Sequence, residues 1–131
     1  ASPPDMRLPI ALGLTWPERL REVETPLTWE SASQWTLEPV DNDTFPAIDL
    51  ARFAVAASAT HPAVLNAANE VLVDAFIAGE VPWLAIVDTV SAVVHEHEGV
   101  VDPSLEDIVA AQRWADQRAR ELVRAGQWKD M

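Results

Sequence analysis

The sequence has no cysteine among its 131 residues, and this absence removes several kinds of chemistry. It excludes disulfide bonds, a thiolate nucleophile and a zinc site with cysteine ligands. A small secreted domain held together by disulfides is excluded for the same reason. A cysteine-free chain is compatible with a reducing compartment, and we expect a cytoplasmic protein.

Glycine and positive charge are also scarce. With four glycines, the sequence contains neither GxGxxG nor GxxxxGK[ST], so we do not expect this chain alone to bind a nucleotide through a glycine-rich loop. Nine Lys and Arg residues stand against 21 Asp and Glu residues, which gives a net charge of -12. That charge repels nucleic acid and anionic lipid, so neither is an expected partner.

A long uninterrupted apolar segment is missing, since charged residues such as Glu70, Asp74 and Asp88 break the apolar stretches. The chain does not begin with a basic segment followed by an apolar one, so we predict neither a membrane span nor a signal peptide. Apolar residues nevertheless make up 49% of the chain. That proportion is typical of one soluble domain with a modest core.

Proline and glycine bracket three segments of the second half, at residues 62–79, 82–99 and 103–126. Proline suits the first turn of a helix because its missing N–H would have no partner there, and glycine accepts the left-handed conformation that ends a helix. We therefore predict three helices, of which the first is apolar on nearly all sides and hence central. A shorter helix from near Phe45 to the turn at 58–61 completes a small bundle of about four helices.

The first 44 residues have a different character, because seven of the ten prolines lie at or before Pro46. We predict a short helix beginning near Pro9 and a candidate edge strand at 35–40, within an otherwise irregular segment. A strand needs a neighbour, and the apolar side chains of this region need cover. The sequence, which does not begin with Met, is therefore expected to be the tail of a longer polypeptide. The predicted fold class is mostly α.

Asn66, Asn69 and Glu70 are spaced so that they share one face of the predicted central helix. Two interpretations are open: a recognition cluster for a ligand, or an internal network in which Glu70 pairs with an arginine such as Arg52. We favour the internal network, because buried polar networks usually serve packing. Replacing Glu70 by alanine should then destabilise the bundle more than replacing His97.

The histidines are the remaining candidates for a metal or catalytic site. His95 and His97 are two residues apart, so on a helix their side chains point about 200° apart and cannot share one ion. We predict that both lie on a solvated helix end just before Gly99. His61 precedes Pro62 in a turn, with no Ser or Asp at a spacing that indicates a nucleophile pair, and no catalytic triad is predicted.

Three motifs, in order, make the sequence resemble the C-terminal part of 1-deoxy-D-xylulose 5-phosphate reductoisomerase. They are Pro-Asp-Met-Arg-Leu-Pro-Ile-Ala at residues 4–11, Trp-Pro-Glu-Arg at 16–19 and Leu-Asn-Ala-Ala-Asn-Glu-Val at 65–71. Shorter similarities, such as Phe-Pro-Ala at 45–47, extend the resemblance over the whole chain. The resemblance implies that residues 1–44 are a remnant of an α/β catalytic domain plus linker, followed by a C-terminal helical bundle domain at 45–131.

The same resemblance implies an NADPH-dependent enzyme of the non-mevalonate isoprenoid pathway, an oxidoreductase and isomerase that forms 2-C-methyl-D-erythritol 4-phosphate. It implies a divalent cation, Mn²⁺ or Mg²⁺, and a homodimer for the intact enzyme. In that family the metal ligands, the phosphate-holding residues and the nucleotide-binding domain lie upstream of the Pro-Asp-Met segment, so no catalytic residue or metal ligand is assigned here. Pro4 and Met6 are the implied cofactor-binding residues, beside the nicotinamide ring.

The expected partners are therefore the upstream domains of the same polypeptide. Alone, the chain is expected to be inactive and to bind neither NADPH nor the metal, and its exposed apolar arm favours self-association of the fragment. The alternative is a protein of another class, namely a free-standing acidic helical module whose apolar N-terminal arm binds another protein.

Overall fold

The computed structural model describes residues 5–126, and the chain divides into two units, Ala1–Glu38 and Pro39–Met131. The described residues form five helices and no strand, which confirms the mostly α fold class. The helices are α1 (Arg7–Thr15), α2 (Ala47–Ala57), α3 (His61–Ile77), α4 (Trp83–Glu96) and α5 (Leu105–Ala125). None of these five is long and apolar enough to cross a membrane.

The first unit contains α1 followed by a segment without regular structure. No side chain of α1 is buried. The rings of Trp29 and Trp35 lie side by side, with their centroids 6.2 Å apart. Residues 35–40, the candidate edge strand of the sequence analysis, do not form a strand. The physical reason is that a strand needs a pairing partner, and residues 5–126 contain none.

The second unit is a four-helix bundle in which α3 packs against α2, α4 and α5. The side chains of Val64, Ala68 and Leu72 are fully buried, and their spacing of four residues places them on one face of α3. Val93 and Val94 of α4 are fully buried as well. The prediction that α3 is the central helix of the bundle is confirmed.

Helix α5 lies close to α3 because its buried face is built from small residues. Ala111, Ala115 and Ala119 follow one another at every fourth position and are buried. On the exposed side, the Arg118 guanidinium binds Glu96 at the end of α4 through two hydrogen bonds of 2.6 and 2.9 Å. These bonds lower the pKa of the Glu96 carboxyl.

The proline and glycine brackets predict the helix ends well, with one instructive exception. Gly79 and Gly126 have φ values of 77° and 66°, the left-handed conformation in which a glycine ends a helix. Helix α5 begins with a capping box, because Ser104 Oγ accepts from the Asp107 N–H and the Asp107 carboxylate accepts from the Ser104 N–H. Helix α4, however, ends at Glu96, three residues before Gly99.

Gly99 has a different function in the structure. A Cβ atom at this position would lie 2.2 Å from Ser58 Oγ and 2.6 Å from His61 Cε1. Glycine is required because the chain after α4 passes against the turn between α2 and α3 at this point. The prediction that Gly99 ends a helix is therefore wrong, and the glycine instead permits this close approach.

Candidate functional site

Met6, the residue implied to contact a nicotinamide ring, lies at the first turn of α1. It is the N-cap residue, and its carbonyl oxygen accepts the Ile10 N–H at 3.2 Å. Its side chain is 71% exposed, so the thioether sulfur is available for contact. Pro4, the other implied cofactor-binding residue, lies outside the described residues.

The turn that carries Met6 is held by its two neighbours. The Asp5 carboxylate accepts the backbone N–H of Arg7 at 2.9 Å and the Arg7 Nε–H at 2.9 and 3.0 Å, and Arg7 Nη2 contacts it as well. The hydrogen bonds from Arg7 lower the pKa of Asp5 to about 2. Asp5 is therefore ionised at neutral pH, and its contacts with Arg7 fix the backbone on both sides of Met6.

Helix α1 continues the exposed apolar surface that begins at Met6. Ile10 and Leu14 follow at intervals of four residues, which places all three side chains on one face of the helix. All three are exposed, and in its own unit α1 buries none of its side chains. This face therefore has the chemistry of a contact surface.

The structure contradicts the internal network predicted for Asn66, Asn69 and Glu70. All three side chains are exposed, and Asn66 Nδ2 donates to Glu70 Oε1 at 2.8 Å across one turn of α3. Arg52 pairs with Asp49 rather than with Glu70. The error came from judging α3 apolar all round, whereas these residues form its solvent stripe.

The structure also contradicts the solvated position predicted for His97 and the unremarkable one predicted for His61. His61 is 6% exposed, and its Nδ1 lies 2.7 Å from Ser58 Oγ. The His97 ring is half-buried, and its Nε2 lies 2.8 Å from Thr60 Oγ1. Thr60 itself is fully buried. The chain thus brings two histidines and two hydroxyl groups into one cluster.

Aromatic rings enclose this cluster from both sides. The two imidazoles meet edge to face with their centroids 4.9 Å apart, and the Trp114 ring of α5 lies 5.3 Å from that of His97. Phe53 of α2 meets His61 edge to face and stacks on His95. Burial lowers the pKa of His61 and of His97, and the proximity of other imidazoles lowers them further.

A third feature of the second unit is an apolar cavity of about 220 Å³ at the surface of the bundle. It lies between the segment before α2 and the exposed sides of α3 and α4. Its walls include Phe45, Leu50, Leu65, Val73, Trp83 and Val87. The rings of Trp83 and Phe76 meet edge to face beside it, with centroids 5.6 Å apart.

Comparison with known proteins connects these observations to one family. The family model for the DXP reductoisomerase C-terminal domain matches residues 1–118. The chain is 56% identical to the 1-deoxy-D-xylulose 5-phosphate reductoisomerase of Beutenbergia cavernae, over 96% of this chain and 32% of that protein. It is 49% identical to the protein of the same name from Cutibacterium acnes, over 96% of this chain and 34% of that protein. The chain therefore spans about a third of the length of the curated relatives it matches.

Two solved structures are also similar to this chain. One is the 1-deoxy-D-xylulose 5-phosphate reductoisomerase of Zymomonas mobilis in complex with NADPH, with a TM-score of 0.71 and 34% identity. The match covers 93% of this chain and 32% of that one. The other is a DOX-P reductoisomerase in complex with magnesium, with a TM-score of 0.68 and 27% identity over 96% of this chain and 34% of that one.

Proposed function

The chain belongs to the family of the DXP reductoisomerase C-terminal domain, and from this premise we propose that it is the C-terminal part of a reductoisomerase. The intact enzyme converts 1-deoxy-D-xylulose 5-phosphate to 2-C-methyl-D-erythritol 4-phosphate in the non-mevalonate isoprenoid pathway. The proposal includes a cytoplasmic location, with which the cysteine-free composition is compatible. The observation that carries the proposal is the match of the family model over residues 1–118.

The proposed activity uses NADPH together with Mn²⁺ or Mg²⁺. When bound, NADPH supplies a hydride and the cation polarises substrate oxygens. Residues 5–126 bring together no group of three His, Cys, Asp or Glu side chains that could hold a metal ion. In this proposal, as the family resemblance implies, the metal ligands belong to upstream domains of the same polypeptide.

Met6 is the residue of this chain that we propose to contact the nicotinamide ring. A thioether is polarizable and adaptable, and a sulfur atom packs favourably against an aromatic ring. The exposure of Met6 at the first turn of α1 leaves its sulfur free for such a contact. Pro4 would adjoin the same ring in this proposal, and the fixed φ of a proline would restrict the backbone just ahead of Met6.

Asp5 and Arg7 act as positioning residues for Met6 in this proposal. Because the Asp5 carboxylate binds both the backbone and the side chain of Arg7, the turn keeps one conformation when a ring approaches. Loss of the Asp5 carboxylate should loosen this turn. The expected effect is a weaker affinity for NADPH, with the substrate site unchanged.

The proposal is tested in the longest polypeptide that the genomic reading frame encodes, by following NADPH oxidation with 1-deoxy-D-xylulose 5-phosphate and Mn²⁺. A sulfur–ring contact contributes about 0.3–1.5 kcal/mol, so Met6→Ala should raise the KM for NADPH by about two- to tenfold. Met6→Leu, which keeps the volume, should recover part of that loss. Leu8→Ala, an exposed apolar residue on another face of α1, is the matched control and should leave KM unchanged.

An inactive parent polypeptide would contradict the proposed function itself. An active parent whose KM for NADPH is the same with Met6→Ala would contradict the assignment of Met6 and leave the function standing. If the parent reading frame encodes no nucleotide-binding and metal-binding segments, the alternative of a free-standing interaction module replaces the enzyme.

We further propose that the isolated chain is inactive, that it binds neither NADPH nor metal, and that the intact enzyme is a homodimer. The isolated chain exposes apolar side chains such as Trp16, Trp29 and Leu37, which favours its self-association. Sedimentation of the isolated chain over a range of concentrations tests this point. A monomer at every concentration would contradict self-association.

A further inference from the structure

The cluster of Ser58, Thr60, His61 and His97 joins two segments that are far apart in sequence. Ser58 and Thr60 belong to the turn between α2 and α3, and His61 is the first residue of α3, whereas His97 follows α4. Four polar atoms form a continuous row: His61 Nδ1, Ser58 Oγ, Thr60 Oγ1 and His97 Nε2. The three distances along it are 2.7, 3.2 and 2.8 Å.

Backbone amides limit the ways in which the two hydroxyl groups can bond. The Thr60 N–H donates to Ser58 Oγ at 3.2 Å, and the Val100 N–H donates to Thr60 Oγ1 at 3.0 Å. A hydroxyl group has one proton and two acceptor lone pairs. After the amides have taken one lone pair each, each hydroxyl group retains one proton and one lone pair for the row.

The row therefore has a fixed proton requirement. Its three hydrogen bonds need three protons, and the hydroxyl groups of Ser58 and Thr60 supply two. The third must come from either His61 Nδ1 or His97 Nε2. If both ring nitrogens carry a proton, or if neither does, the bond between the two hydroxyl groups cannot form.

This requirement links the tautomers of the two neutral imidazoles. If His97 Nε2 carries the proton, His61 Nδ1 must be bare, so both rings are Nε2–H tautomers. If His61 Nδ1 carries it, His97 Nε2 must be bare, and both rings are Nδ1–H tautomers. The row can run in either direction, but the two rings always share one tautomer.

Addition of protons from solvent then has two distinct stages. A single imidazolium is compatible with all three bonds, because the other ring remains neutral and its inner nitrogen accepts a hydrogen bond from the adjacent hydroxyl group. A second imidazolium puts protons on both inner nitrogens and places two positive charges on rings whose centroids are 4.9 Å apart. The second proton therefore removes the hydrogen bond between Ser58 and Thr60 within the turn. It also adds repulsion between His61 and His97, which lie on opposite sides of the contact between the turn and the segment after α4, and this repulsion drives the two segments apart.

The surroundings of the pair offer little to offset that second charge. From α2 the neighbour is the uncharged Phe53, and from α5 it is Trp114. The proximity of His95 of α4 lowers the pKa of His61. Glu98 acts in the opposite direction on the other ring, because its negative charge raises the pKa of His97. Glu96 at the end of α4 is already paired with Arg118.

We propose that Ser58, Thr60, His61 and His97 form an acid-sensitive clasp, which holds the segment after α4 against the α2–α3 turn, retains its bonds with one added proton, and opens with the second. Opening releases the Val100 N–H from Thr60 and separates residues 97–100 from the turn. The device is part of the bundle and does not depend on the proposed enzymatic reaction.

The first test is nitrogen NMR of the imidazole rings in the ¹⁵N-labelled chain at about pH 7.5, where both rings are neutral. The clasp predicts the same tautomer for His61 and His97. Mixed tautomers, one Nε2–H and one Nδ1–H, would overturn it, because the row would then hold either two ring protons or none.

The second test follows amide hydrogen exchange at Val100 as the pH is lowered. The protection factor of this amide should persist through the first protonation and fall about tenfold at the second, the size expected for loss of one net hydrogen bond. A protection factor that already falls at the first protonation would contradict the clasp. A protection factor that has not fallen after the second protonation would contradict it as well.

Substitutions at Thr60 separate this account from general acid unfolding. Thr60→Val keeps the side-chain shape and removes the hydroxyl group. The protection factor of the Val100 amide should then already be low at neutral pH, and it should no longer change when His61 and His97 are protonated. Thr60→Ser should restore the wild-type response. His95→Gln is the matched control, because it removes a neighbouring imidazole outside the row, and the two-stage response should remain. A wild-type response in Thr60→Val would overturn the clasp.

Discussion

Substitution of Gly99 by alanine tests the close approach between the segment after α4 and the α2–α3 turn. The new Cβ atom would lie 2.2 Å from Ser58 Oγ, 2.6 Å from Ser58 Cβ and 2.6 Å from His61 Cε1. Such distances are far below van der Waals contact, so at least one of the two segments must move. The φ angle of Gly99 lies outside the left-handed region, so the effect comes from these contacts and not from backbone strain.

The magnitude follows from the two ways in which the structure can respond. If the segments move apart, the cost is that of an overpacked core, about 1–3 kcal/mol. Rotation of the Ser58 side chain would give up its bonds to His61 Nδ1, to Thr60 Oγ1 and to the Thr60 N–H, at about 0.5–1.5 kcal/mol for each bond, and would leave the contact with Ser58 Cβ in place. Because rotation alone does not relieve the contact with Ser58 Cβ, the segments must also move, and we expect a loss of at least about 2 kcal/mol in the free energy of unfolding.

Urea denaturation of the isolated chain, followed by far-ultraviolet circular dichroism, measures this loss. Gly13→Ala is the control, because a Cβ at that position would meet no atom within 4 Å apart from its chain neighbours and the backbone of its own helix, and alanine favours a helix interior. The control should not lower the midpoint of the bundle transition. An unchanged midpoint for Gly99→Ala would refute the close approach between the segment after α4 and the α2–α3 turn.

Three further stability predictions follow from burial and hydrogen bonding, each measured by the same denaturation assay. His97→Ala should lower the free energy of unfolding by about 1–3 kcal/mol, because Thr60 and Trp114 lose their partner. Glu70→Ala should change it by no more than about 0.5 kcal/mol, because Glu70 is exposed. A larger loss for Glu70→Ala than for His97→Ala would support the internal network that the structure contradicts. Leu72→Ala should cost about 2–5 kcal/mol, since this side chain is fully buried, and a cost near zero would contradict the central position of α3. Ser104→Ala should lower the free energy of unfolding by about 1 kcal/mol, because it removes the capping box of α5. An unchanged free energy of unfolding would contradict this prediction.

The helices were predictable because their ends are encoded locally. A proline in the first turn of α3, the capping residues of α5 and the left-handed Gly79 and Gly126 each act over a few residues, so spacing alone identifies them. The central position of α3 followed from its apolar surface. The solvent stripe of α3 was misread because a polar stripe on such a helix can face either water or a buried network.

The histidine cluster was not predictable by the same means. Thr60 and His97 are 37 residues apart, and their bond exists because α4 returns the chain to the α2–α3 turn. Local spacing carries no trace of such a contact. Two signals in the sequence could have revealed the cluster. One is the spacing of three residues between Ser58 and His61, and the other is Gly99, since a glycine can mark a close approach of the backbone.

The role proposed for Met6 came from resemblance rather than from physical pattern. By composition and spacing alone, Asp5 and Met6 are an ordinary start to a helix. The structure adds that Met6 is exposed and that Asp5 and Arg7 fix the turn around it.

The most direct test of the central claim is NADPH oxidation with 1-deoxy-D-xylulose 5-phosphate and Mn²⁺, measured for this chain and for the longest polypeptide its genomic reading frame encodes. We predict turnover by the longer polypeptide and none by the isolated chain. Inactivity of both would contradict the assignment to a reductoisomerase, and turnover by the isolated chain would contradict the placement of the catalytic and metal-binding residues upstream.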